Sequence, residues 1–357
     1  MNSLKLNFHQ LNRTQLLALC NEQNQICKAQ WQKDIYAFIL EWFDENLYVQ
    51  AKTSGSTGAP KPINLEKEKM IQSAKMTGEF FKFEKGQTAL LCLSPQFIAG
   101  KMMLIRAIIW QMQLICVKPD GHPLNGLHSP IDFAAMIPLQ VQNSIHNTDQ
   151  IQLIKSILIG GGAVDQKLNK KIQNLSSHCY ASFGMTETLS HIAIKNLNGL
   201  DKSDTYKALN GVTLSTDKRE CLEIDAPRLL NQRITTNDIV KLISNSEFEW
   251  LGRFDHVINS GGIKLFPEQI EEKLNPFINE PFFLIGIPDE HLGEKMILII
   301  ESKNKSIEKK KKIQAKVDAY LEKFQRPRDI FFLSKFERTL TNKIQRKASL
   351  ARLTEED

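Results

Sequence analysis

Residues 154–187 read IKSILIGGGAVDQKLNKKIQNLSSHCYASFGMTE, and no other stretch narrows the fold as far. An apolar run of strand length ends in three glycines. A polar helical segment follows, and a second strand-like run, HCYASFG, closes on another glycine. Strands alternating with helices build an α/β sheet, whose binding sites gather at the carboxyl ends of the strands. The alternation extends from about residue 45 to 250. ALLCLS and LICVK have strand character, while Met70, Ala74, Thr77 and Phe81 fall on one helical face, with Asn64 as the expected N-cap.

Past Arg253 the texture changes. DHVINSGGIKLFPEQIEEKL reads as strand, Gly-Gly turn, strand, and a helix opening after Pro267. FFLIGI, MILII and IFFLS are further short strands, with a basic helix between the last two. The expected organisation is a large domain over residues 1–253 and a small α+β domain over 254–357, joined near Phe254 to His256. A chain of 357 residues has room for both.

Several function classes recede on composition. The amino terminus, MNSLKLNFHQLNR, lacks the apolar core and cleavage site of a secretory signal. The most apolar window, Ile98 to Val117, keeps Lys101 and Arg106, so a buried helix then strand is expected there and no membrane span. A cytoplasmic protein follows. The six cysteines form no CxxC pair, which favours reduced, mostly buried thiols over metal ligands or disulfides. Net charge is +6, concentrated in KNKSIEKKKKIQAKVDAYLEKFQRPR. Ile313, Val317 and Leu321 recur there at helical spacing, so the lysines form a solvated helix face and no nucleic-acid partner is expected.

The run AKTSGSTGAPKPINL, residues 51–65, has the composition of a phosphate loop. Gly55 and Gly58 let backbone N–H groups turn inward, Thr53, Ser54, Ser56 and Thr57 offer hydroxyls, and Lys61 adds charge. A Walker A loop fails on spacing, because Lys61 lies between two prolines. Downstream come GGG (160–162), FGMTET (183–188), TTND (235–238), GRFDHVINSGGIKLFPEQIE (252–271) and RTLTNKIQRK (338–347).

In this order the six motifs resemble the adenylate-forming superfamily of acyl- and aryl-CoA synthetases, peptide-synthetase adenylation domains and luciferases, over about Thr53 to Lys347. The resemblance implies that Thr53, Ser54, Gly55, Ser56, Thr57, Gly58 and Lys61 wrap the β- and γ-phosphates of ATP. Glu187 would hold Mg²⁺ and Thr186 would contact phosphate. Gly160, Gly161, Gly162, Phe183 and Gly184 would line the adenine, and Asp238 and Arg253 the ribose. Lys343 matches the catalytic lysine that crosses from the small domain to the α-phosphate, and Asp255 matches the hinge on which that mobile domain turns. Asn237 and Asn342 stand where the family has glycine, and both tolerate φ > 0. The implied reaction has two steps. A carboxylate attacks the α-phosphorus, releasing pyrophosphate, and then a thiol, normally that of CoA, displaces AMP from the acyl-adenylate.

The acyl pocket resembles the family in LSPQFIAGKMMLIRAIIW, residues 93–110, where Phe97 replaces a common histidine beside Ala99 and Gly100. Arg106 sits on an otherwise apolar helix and needs an anion: either a substrate carboxylate or a structural salt bridge. Within the superfamily the match is to o-succinylbenzoate–CoA ligases of menaquinone synthesis. Only some fifty residues precede the phosphate loop, so the large domain is expected to be shortened at its amino end. The expected partners are a small carboxylic acid, ATP and CoA, with a homo-oligomer left open. The alternatives are a CoA ligase for another aryl or acyl acid and an inactive nucleotide-binding relative.

Overall fold

The computed structural model describes residues 3–52, 62–146, 148–339 and 343–356. A 12-stranded sheet dominates it. Five of its strands are parallel: Gln113–Cys116, Thr88–Leu91, Ile131–Met136, Ile154–Ile159 and His178–Gly184, lying side by side in that order. The second strand in the chain therefore lies outside the first, as in doubly wound sheets. Leu4–Asn7 closes one edge antiparallel to Gln113–Cys116. Beyond His178–Gly184 the sheet continues antiparallel through His191–Asn196, Tyr206–Ala208, Glu247–Arg253, Ile234–Ser244, Cys221–Asp225 and Thr213–Thr216.

The parallel strands carry apolar residues on both faces because both are covered. Leu91, Leu114, Cys116, Phe133 and Leu158 join one core, and their chain neighbours Leu90, Ile115, Ala134 and Ile157 join the other. Helices Lys67–Phe81 and Ile98–Ile109 pack on the first face through Met70, Ala74, Met102 and Leu104. Gly78 makes their contact possible, since a Cβ there would stand 2.1 Å from the Trp110 ring. Helix Gln166–Ile172, capped by Asp165, buries Leu168 and Ile172 on the second face.

One expected boundary moves. The helix after the glycine loop begins at Lys67, and Glu66 is its N-cap. Asn64 lies instead within strand Pro62–Glu66, opposite Gln50 of strand Tyr48–Lys52. The same register pairs Lys52 with Pro62, so the ends of the loop at 53–61 are pinned together.

A second sheet carries Ile263–Leu265, Ile258–Ser260, Gly293–Glu301 and Phe282–Asp289, with Asp329–Leu333 parallel to Gly293–Glu301. Helices Pro267–Leu274 and Ile307–Tyr320 cover one face through Ile270, Leu274, Ile313 and Val317. Helix Arg346–Glu356 covers the other, with Leu353 against Phe283 and Leu333. The 3₁₀ turn Phe254–His256 links the two sheets. Lys167 also bridges them, donating to the Ile278 carbonyl and the Asn279 side chain at 2.8 Å each. No helix is long and apolar enough to cross a membrane among the described residues.

Candidate active site

The glycine-rich motifs lie at the carboxyl ends of adjacent parallel strands, and packing explains their composition. A Cβ on Gly160 would sit 2.4 Å from the Ser182 hydroxyl, which donates to the Ile159 carbonyl at 3.1 Å. Gly161 has φ +78°, a left-handed value that side-chain-bearing residues avoid. Gly162 and Phe183 flank this surface, and Phe183 leans on Tyr206 and Phe248. At Gly184 a Cβ would meet the Ser190 carbonyl at 2.3 Å, so the chain can fold back tightly over 184–190.

That turn is held from inside. The buried Thr188 hydroxyl accepts from Met185 N at 2.9 Å and lies 2.7 Å from the Ser190 carbonyl. Leu189 N donates to the Thr186 carbonyl, and Leu189 takes φ +67°. Thr186 is buried and Glu187 is exposed. Glu187 lines a cleft of about 190 Å³ with Ile63, Glu66, Lys69, Leu229 and Asn231. Its carboxylate makes no hydrogen bond or ion pair among the described residues. The strand that leaves the glycine loop thus forms one wall of the cleft. The loop residues Thr53, Ser54, Gly55, Ser56, Thr57, Gly58 and Lys61 lie outside the described residues, as does Asn342.

Three other chain segments come together around Asp238. Asp238 and Arg253 are paired residues of adjacent strands. Asp238 is buried, accepts from Trp250 Nε1 at 3.0 Å, and stands 3.7 Å from Arg253 Nη1. Arg253 Nε donates to Asp255 at 3.0 Å. Burial raises the Asp238 carboxyl pKa, against the pull of Trp250 and Arg253. Lys343 is fixed by its backbone: its N–H donates to the Thr339 hydroxyl at 3.1 Å and its carbonyl accepts from Thr339 N at 2.9 Å. Burial lowers the Lys343 pKa, the Arg253 charge adds to that, and Asp238 opposes it. The Lys343 charge therefore lies within electrostatic reach of the Asp238–Arg253 pair. Asn237 corrects an expectation. It lies within strand Ile234–Ser244 and is absent from the positive-φ residues, so no left-handed turn is needed there. Its side chain instead accepts from Arg219 Nη1 at 3.3 Å.

The acyl-side residues divide. Phe97 and Ala99 are exposed at the start of helix Ile98–Ile109. Gly100 is buried, with the Ser94 carbonyl where a Cβ would go. Arg106 is 2% exposed and has no structural salt bridge among the described residues. Its Nη2 donates to the Ser190 hydroxyl at 2.6 Å and its Nε to the Thr77 hydroxyl at 3.2 Å. His191 closes the ring, 3.4 Å from Thr77 Oγ1 and 3.2 Å from Ser190 Oγ. Burial lowers the Arg106 pKa to about 10. Burial, and then the nearby arginine, push His191 well below its ordinary value, so the ring is neutral near pH 7. Ser190 and His191 escaped the sequence analysis. The signal was present: two polar residues between the Glu187 turn and an apolar strand, opposite Thr77 on an apolar helix face.

Residues 41–216 match the model of the AMP-binding enzyme family. An acyl-CoA synthetase (AMP-forming)/AMP-acid ligase II-like protein from Dyadobacter fermentans is 33% identical and superposes with a TM-score of 0.64, over 98% of this chain and 99% of that one. The 2-succinylbenzoate–CoA ligase of Escherichia coli is 22% identical over 307 residues, 82% of this chain and 66% of the relative. The Bacillus subtilis o-succinylbenzoate coenzyme A synthetase, solved with ATP and magnesium, has a TM-score of 0.72 at 19% identity, over 84% of this chain and 69% of that one. The chain spans about two thirds of the length of these curated relatives.

Proposed function

The chain belongs to the AMP-binding enzyme family, and on that premise we propose that it is an ATP-dependent acid–CoA ligase whose acid carries a second carboxylate, o-succinylbenzoate being the first candidate. The observation that carries the substrate class is Arg106. Among the described residues this buried guanidinium is hydrogen-bonded only to hydroxyls and has no counterion, an arrangement that is expensive until an anion arrives. Ser190 adds a hydroxyl beside it, and Ser190 lies three residues after Glu187. An acid whose far carboxylate rests at Arg106 would then extend its reacting carboxylate toward the nucleotide end. The named substrate of the E. coli and B. subtilis relatives, 2-succinylbenzoate, has two carboxyl groups.

In the first half-reaction an oxygen of the reacting carboxylate bonds to the α-phosphorus of ATP and pyrophosphate leaves. Lys343 places an ammonium where negative charge builds, and that is electrostatic stabilisation. Asp238 and Arg253 would hold the ribose, with Asp238 accepting from its hydroxyls. Glu187 suits Mg²⁺, since among the described residues it is an unpaired carboxylate on an open cleft. The ion supplies neutralisation of the departing phosphates. In the second half-reaction the CoA thiolate bonds to the acyl carbon and AMP leaves. A carboxylate alone would have to expel oxide, and adenylation replaces that with a far better leaving group. Residues 254–357 are read as the lid that turns on Asp255 between the two steps.

Mass spectrometry of the protein with ATP, Mg²⁺, CoA and a panel of aromatic and fatty acids tests this reading. The expected products are AMP and the CoA thioester of o-succinylbenzoate. A thioester with a monocarboxylic acid only would keep the chemistry and discard the substrate class. No product with any acid, despite ATP binding, would favour an inactive relative.

A further inference from the structure

Glu268 lies where three parts of the molecule meet, and nothing in the chemistry above uses it. It opens helix Pro267–Leu274, and its side chain is 13% exposed. Its Oε1 lies 2.5 Å from His256 Nδ1, in the turn that follows the last strand of the large sheet, and 3.3 Å from Arg346 Nη2. Arg346 begins the last helix three residues after Lys343. The same guanidinium donates to the Glu271 carboxylate at 2.9 Å and to the Leu284 carbonyl at 3.0 Å. The other oxygen, Glu268 Oε2, is buried without a hydrogen-bond partner among the described residues. It presses on Gly252, where a Cβ would stand 2.8 Å from it. Gly252 has φ +152° and directly precedes Arg253, whose charge acts on Lys343.

We propose that Glu268 is a positioning residue for the adenylation step: by holding His256 and Arg346 together against Gly252, it fixes the Lys343 segment opposite the Asp238–Arg253 pair. The proposal rests on the ligase reading for its kinetics and on the geometry alone for its structural readout. Burial opposes ionisation of Glu268, yet His256 and Arg346 outweigh it and hold the carboxyl below its ordinary pKa, so the clamp is charged at neutral pH. Arg346 stays anchored through Glu271 and Leu284 without Glu268. Removing Glu268 should therefore loosen the approach of Lys343 without unfolding the small unit. Rotation about Asp255 would separate Gly252 from the carboxylate and free the buried Oε2 to take another partner.

The test compares Glu268→Ala and Glu268→Gln with the parent. ATP–pyrophosphate exchange should fall about tenfold in kcat with Glu268→Ala, while thioester formation from supplied acyl-adenylate stays within about twofold. Glu268→Gln keeps the shape and one acceptor, and should recover part of the loss. Equal loss in both half-reactions, or none in exchange, would overturn the proposal. A second readout works whatever acid the protein uses. Spin labels on Cys at Lys207→Cys and Ala348→Cys, in a Cys27→Ser background because the other five native cysteines are buried, report the spacing of the last helix from the large sheet. With ATP and Mg²⁺ present, Glu268→Ala should broaden that distance distribution. An unchanged distribution would contradict the proposal even in a protein without ligase activity. A parent protein with no exchange would count against the ligase reading alone.

Discussion

Two arginines show how one residue type can be set for opposite tasks. Arg253 stands between Asp238 and Asp255, with its charge matched at 3.7 and 3.0 Å. Arg106 is more deeply buried and, among the described residues, meets only hydroxyls and a neutral imidazole. Their pKa values diverge accordingly: the carboxylates carry that of Arg253 above its ordinary value, while burial alone lowers that of Arg106. An internally matched pair suits a neutral ligand such as a ribose diol, which needs donors and acceptors but no net charge. An unmatched buried cation suits an anion. On the proposed reading, the difference would put substrate charge recognition at Arg106 and leave the Asp238–Arg253 pair for orienting the nucleotide.

The comparison can be broken at either end. The largest effect is expected from Lys343→Ala, which removes the cation proposed to stabilise the adenylation step. ATP–pyrophosphate exchange should drop by about a hundred- to a thousandfold. Thioester formation from supplied acyl-adenylate should change far less, and equal losses would remove Lys343 from the adenylation step. Next comes Ser190→Asp, which gives Arg106 the carboxylate it lacks. The preference for dicarboxylic over monocarboxylic acids should shrink by roughly thirtyfold, the worth of about one charged hydrogen-bonded contact. A preference that survives would mean the substrate anion binds elsewhere.

Asp238→Asn tests the matched end more gently. It leaves Arg253 partly unbalanced and weakens one acceptor, so KM for ATP should rise about tenfold with the acid preference untouched. The smallest effect concerns pH. The proposed role of Lys343 requires its protonated form, and its pKa lies below the ordinary lysine value through burial first and Arg253 second. The alkaline limb of the exchange rate should therefore fall below pH 10.5, and Arg253→Gln should move it upward at saturating ATP. A limb that stays in place would show that Arg253 does not act on Lys343.

Local chemistry made much of this fold legible. The runs IKSILI and HCYASFG are strands of a sheet covered on both faces, and the glycines at their ends are required by contacts with Ser182 and Ser190. Ile313 and Val317 are the buried stripe of the basic helix, as their spacing predicts. Non-local pairing hid the rest. Asn64 has the chemistry of an N-cap, but strand Tyr48–Lys52 claims it before the helix begins. Asn237 has the chemistry of a turn, yet ladder pairing between Ile234–Ser244 and Glu247–Arg253 runs through it. The Arg106 site joins residues 77, 106, 190 and 191, and no spacing rule connects a helix interior to the far side of a tight turn.

The most direct measurement is kcat/KM for o-succinylbenzoate and for the same acid with its second carboxyl replaced by hydrogen, in the parent protein and in Arg106→Gln. The parent should favour the diacid by about thirty- to a hundredfold, and the variant should erase that preference while turning over the monoacid as before. A variant that keeps the parent's preference would contradict the account, because the unmatched cation at Arg106 would then have no part in choosing the acid.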